Sequence, residues 1–114
     1  MGRRSRRMKA PESEYRSPDG DVLALRGSMT PGTRQQYREA LGGSPLSQED
    51  AWHRAVEFLF ERLAVSWAVG GLDPITRQKE LLARFRMASQ AERGWIRDVL
   101  REHLAEHFPE LPPP

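Results

Sequence analysis

The chain reads as an all-α protein, a small bundle of three main helices plus a short leading helix behind a disordered basic N-terminal arm. Three observations predict this. Ser47-Gln48-Glu49-Asp50 and Ser89-Gln90-Ala91-Glu92 are capping signatures, and each stands before apolar residues spaced three and four apart. No segment reads as the apolar and polar alternation of a half-buried strand. Gly42-Gly43 and Gly70-Gly71 follow periodic stretches and read as helix stops, since neither belongs to a phosphate-cradling G-x-x-x-x-G-K pattern.

In chain order, residues 1–28 form the arm. Arg3, Arg4, Arg6, Arg7 and Lys9 meet no acid within the first ten residues, and Pro11, Pro18, Gly20 and Gly27 break up the remainder. Val22-Leu23-Ala24-Leu25 is the segment's only apolar run, too short to offset the entropy of ordering it, so disorder is expected. Met29-Thr30-Pro31 reads as an alternative translation start. Residues 29–108 form the helical domain. Its leading helix takes Thr30 or Thr33 as cap, tolerates Pro31 in its first turn, and runs through Tyr37 to Leu41.

The central helix follows Ser47 and is expected to run to Gly70. Trp52, Val56, Leu59, Leu63 and Trp67 make one stripe, which Phe58, Phe60, Val65 and Val69 widen beyond a single face. Asp73-Pro74 reads as a cap and first-turn proline opening a helix with Ile75, Leu81, Leu82 and Phe85 inward. Ser89 opens the last helix, which carries Trp95, Ile96, Val99, Leu100, Leu104 and Phe108 until Pro109 ends it. Residues 109–114 form a proline-rich tail, with Pro112-Pro113-Pro114 expected in polyproline II.

The 114 residues suit one domain. The pI near 9.5 comes from the arm, because from Met29 onward 11 basic residues face 12 acidic ones. With no cysteine there is no disulfide framework, thiol nucleophile or thiolate metal site. No apolar run is long enough to span a bilayer, and no secretory h-region follows the arginines, so the expected location is the cytoplasm, with no membrane contact.

His103-Leu104-Ala105-Glu106-His107 matches H-x-x-E-H and so resembles, over five residues, the zinc site of the inverzincin metallopeptidases. The resemblance implies a metal shared by His103 and His107 with Glu106 as general base. That family takes a further glutamate from well downstream, beyond the seven residues that follow His107 here. A site joining His53, His103 and His107 is the other geometry weighed, and solvated histidines on the polar edge of the last helix are the favoured reading. No G-x-S-x-G elbow marks a nucleophile. Neither an enzyme nor a cofactor is expected.

Nucleic acid has two points of entry. Arg3, Arg4, Arg6, Arg7 and Lys9 would neutralise phosphates, and a helix-turn-helix over residues 74–108 would present Gln90, Arg93 and Arg97. Asp98, Glu102 and Glu106 on the same helix oppose the second. The leading expectation is therefore a non-enzymatic helical interaction module, a cytoplasmic regulator or adaptor with an unidentified protein partner. Its interface, or homodimer seam, would be Phe58, Phe60, Val65 and Val69 on the uncovered face of the central helix. A small DNA-binding protein is the alternative.

Overall fold

Among the described residues, four helices and a three-stranded antiparallel sheet make this a mixed α/β protein, correcting the all-α helical bundle expected from sequence. The computed structural model of the chain describes residues 12–42 and 47–114. Arg3, Arg4, Arg6, Arg7 and Lys9 lie outside the described residues.

The first departure is the hairpin of β1 (Glu12–Arg16) and β2 (Val22–Arg26), which occupies sequence expected to be disordered. Its turn is local chemistry. Pro18 presets φ after Ser17, Gly20 N–H donates to the Ser17 carbonyl at 2.9 Å, and Gly20 at φ 89° takes the left-handed position that such loops need. What stabilises the hairpin is not local: Leu23 and Leu25 are fully buried in the common core. The run Val22–Leu25 is too short to offset its ordering entropy alone, but packed on the body it buries enough apolar surface to do so.

The second departure is at the end of the central helix. After α1 (Pro31–Leu41), capped by Thr30, comes α2 (Gln48–Leu63), capped by Ser47. The chain then turns directly into β3 (Ala64–Ala68), which pairs with β2 in the register Leu23↔Trp67 and Ala24↔Ser66. Residues apolar nearly all round a helix also suit a strand buried on its core face, and the unpaired backbone of β2 decides between them. Asp73-Pro74 caps no helix. Gly70 and Gly71, both at positive φ, reverse the chain so that Ile75 exchanges two backbone hydrogen bonds with Trp67. Thus α3 (Gln78–Arg86) begins four residues after Pro74.

The last helix, α4 (Gln90–His107), has its full capping box: Ser89 Oγ accepts from Glu92 N–H, and the Glu92 carboxylate accepts from Ser89 N–H. The proline-rich tail joins the body rather than trailing from it. Leu111 is buried, Tyr37 donates its hydroxyl hydrogen to the Pro112 carbonyl, and Arg34 pairs with Glu110 at 2.7 Å.

Cross-strand partners share a face, so Tyr15, Leu23, Leu25 and Trp67 point toward the helices, where they meet Leu59, Phe60 and Leu63 of α2, Phe85 of α3, and Ile96, Leu100 and Leu104 of α4. Glu12, Glu14, Arg16 and Arg26 lie exposed on the opposite face. Burial of two leucines contributes about 4 kcal/mol, a large share of the roughly 5–15 kcal/mol available to a domain. A chain starting at Met29 should therefore lose cooperative thermal unfolding, read by circular dichroism. Retention of the native midpoint would show that the hairpin is dispensable.

Candidate binding groove

The hairpin is held to α4 by a buried polar chain. Ser13 and Tyr15 alternate onto the inner face of β1, while His103 and His107 lie one turn apart on α4. His103 is fully buried, and its Nε2 lies 2.6 Å from the Arg26 carbonyl oxygen. A carbonyl only accepts, so Nε2 carries the hydrogen, and Nδ1 is left with a lone pair for the Tyr15 hydroxyl at 2.8 Å. Burial depresses the His103 pKa and raises that of Tyr15, and both shifts favour this neutral arrangement. His107 Nε2 stands 3.1 Å from Ser13 Oγ, and its ring centroid lies 4.5 Å from that of His103.

His103 is therefore not on a polar edge. It is a buried link between both hairpin strands and α4. The one lone pair that neutral His103 could offer a metal, on Nδ1, already accepts from the Tyr15 hydroxyl, and His53 lies exposed on α2 beside a different hollow. Among the described residues, no three metal-ligating side chains converge.

Pinned in this way, β1 runs antiparallel to α4, Ser13 lying against His107 and Tyr15 against His103. Between them are two hollows of about 730 and 350 Å³ that share Trp95 and Asp98. The larger is bounded by the hairpin turn, with Asp19 and Asp21, and by the first turns of α4; the smaller by Glu14, Tyr15 and Arg16 opposite Val99 and Glu102. Trp95, half-buried, forms part of the wall of both.

The charge is one-sided. Glu14, Asp19, Asp21, Asp98 and Glu102 form no ion pair among the described residues, and Arg16 is the one cation lining either hollow. Glu92, also at the rim, is matched by Arg84 at 2.6 Å, which holds its carboxyl below the ordinary range. The outer edge of β1 carries no further strand among the described residues.

Trp95 also differs from the other two tryptophans. Arg97 lies over the Trp52 ring at 4.8 Å and Arg84 over Trp67 at 5.0 Å, whereas no described cation covers Trp95.

The residues expected to form an interface do not share one helical face. Phe60 is fully buried, stacked on Phe85 at 4.8 Å and edge-on to Trp67 at 5.6 Å. Phe58 is half-buried beneath Arg62, while Val65 belongs to β3 and Val69 to the turn after it.

Of the residues assigned to DNA reading, Gln90 is exposed at the start of α4. Arg93 donates to the Arg86 and Ala88 carbonyls and covers Phe85, and Arg97 donates to the Pro114 carbonyl. These two guanidiniums close the end of α3 and hold the tail.

The groove escaped the sequence reading because its walls lie about eighty residues apart in the chain, although Asp98 and Glu102 had stood out as acids on α4 and Pro18 and Gly20 as breaks in the chain. No protein-family model matches the chain, and comparison with curated proteins and with solved structures finds no match. No helix among the described residues is long and apolar enough to cross a membrane.

Proposed function

We propose that the chain is a non-enzymatic protein-interaction module, a cytoplasmic regulator or adaptor, whose groove between the hairpin and α4 receives a cationic, extended segment of a protein partner. The observation that carries this reading is the acidic lining about Trp95, where Asp19, Asp21, Asp98 and Glu102 form no ion pair among the described residues. Like charges held in a concavity focus potential on an incoming cation, and an arginine over an indole face adds about 0.5–2 kcal/mol. Arginine on tryptophan is already this chain's habit, at Trp52 and Trp67. The open edge of β1 offers backbone donors and acceptors to an extended chain. The cysteine-free composition supports the compartment.

The test uses the full chain with Arg3, Arg4, Arg6, Arg7 and Lys9 replaced by Gln, so that the probe is the one cationic segment present. A labelled hexa-arginine peptide should bind in the micromolar range at low salt by fluorescence anisotropy. Asp98→Asn with Glu102→Gln, or Trp95→Ala, should weaken it about tenfold, the equivalent of 1.4 kcal/mol. Equal binding by all three proteins would place the peptide elsewhere and overturn the reading.

A further inference from the structure

We infer that the hollow where α2, the end of α3 and the first turns of α4 meet is a binding site for a small carboxylate with an apolar body. It is separate from the groove walled by β1, with which it shares only Gly94.

Shape is the first argument. The hollow encloses about 460 Å³, within the range of small-ligand sites, and three elements supply its walls. Its floor is apolar: Val56 of α2 and Phe85 of α3 are buried, and Ala88 lies half-buried beside them. Gly94 stands in the interior of α4, where glycine weakens a helix, yet no other part of the fold comes within 4 Å of the place a Cβ would take. Packing does not require this glycine, and its bare backbone leaves the wall open.

Charge is the second. Arg93 and Arg97, one turn apart on α4, line the hollow with His53 and Gln90, and no acidic side chain among the described residues lines it. Arg34, Arg77, Arg84 and Arg86 each meet a glutamate, whereas neither Arg93 nor Arg97 forms an ion pair among the described residues. Both guanidiniums are nonetheless held in place. Arg93 donates to the Arg86 and Ala88 carbonyls and lies 5.0 Å from the Phe85 ring centre, while Arg97 donates from Nε to the Pro114 carbonyl and lies 4.8 Å from the centre of the Trp52 ring. Only Nε of Arg97 is engaged, so its two Nη groups keep the end-on fork that matches a pair of carboxylate oxygens. Carbonyls fix the direction of a guanidinium without cancelling its charge, and side chains ordered in advance lose little entropy when a ligand arrives. A carboxylate on this fork leaves its apolar body to the floor of Val56, Phe85 and Ala88. An ion with no such body would leave the floor uncovered, and a neutral ring would leave the guanidiniums unmatched.

The test titrates the isotope-labelled full chain with benzoate, with every sample brought to one ionic strength by sodium chloride. Benzoate should saturate in the millimolar range, shifting the amide signals of Ala88, Gln90 and Gly94 and the Nε–H signals of Arg93 and Arg97 along one curve. Benzyl alcohol and inorganic phosphate should each bind at least tenfold more weakly. Arg97→Gln should weaken benzoate about tenfold. Because Arg97 also holds the tail, His53→Glu is the second variant: it changes an exposed position, sets an acid on the rim, and should weaken benzoate likewise. Phosphate binding as tightly as benzoate would overturn the apolar half of the assignment. Shifts scattered over the surface without saturation, or benzoate binding unchanged in both variants, would overturn the site itself.

Discussion

Replacing His103 with alanine should destabilise the protein by about 3 kcal/mol, because the change opens a cavity and leaves both the Tyr15 hydroxyl and the Arg26 carbonyl without their buried partner. For a chain of this size, that is a fall of about 12 °C in Tm, measured by calorimetry. His103→Gln should cost less, since its amide can donate to Arg26 and accept from Tyr15. Its value is that it cannot titrate.

In the unfolded chain a histidine titrates near 6.5, and in the folded protein burial holds His103 below that value. The unfolded state thus takes up a proton first as pH falls. The contribution of neutral His103 is complete above about 6.5 and declines as pH drops toward the folded value. The groups near the ring are Tyr15 from β1, the Arg26 carbonyl from β2, and His107 and Glu106 from its own helix. Urea denaturation at successive pH values should show the native protein losing stability below 6.5 more steeply than His103→Gln. Parallel curves would mean that His103 is not held neutral.

Phe60→Ala is expected to have the larger effect, about 4 kcal/mol, and to act on folding rather than on association. Its ring lies between Phe85 and Trp67, where α2, α3 and β3 meet, so truncation removes contacts from three elements together. The urea midpoint should fall sharply while the folded fraction sediments as the native protein does. Unchanged stability with altered sedimentation would restore Phe60 to a surface seam.

By itself the sequence determined the features that close within a few residues. The Ser89–Glu92 capping box, the Thr30 and Ser47 caps and the lengths of α1 and α4 are visible because a cap satisfies backbone donors three residues away. Pro18 and Gly20 were legible only as breaks in a segment expected to be disordered, and the strands on either side of them were not, since five residues of β2 gain their stability from a core assembled mostly by later helices.

Only the tertiary structure decided that Ala64–Ala68 leaves the helix. The same apolar residues satisfy either period, and the choice followed from the open backbone of β2, some forty residues earlier. The groove belongs to the same class. Asp19 and Asp21 of the hairpin turn share a hollow with Trp95 and Asp98 because His103 and His107 fasten β1 along α4, a pairing with no local signature. Hydrogen bonds to near neighbours leave a pattern in sequence, whereas burial and charge convergence depend on which distant surfaces the chain brings together.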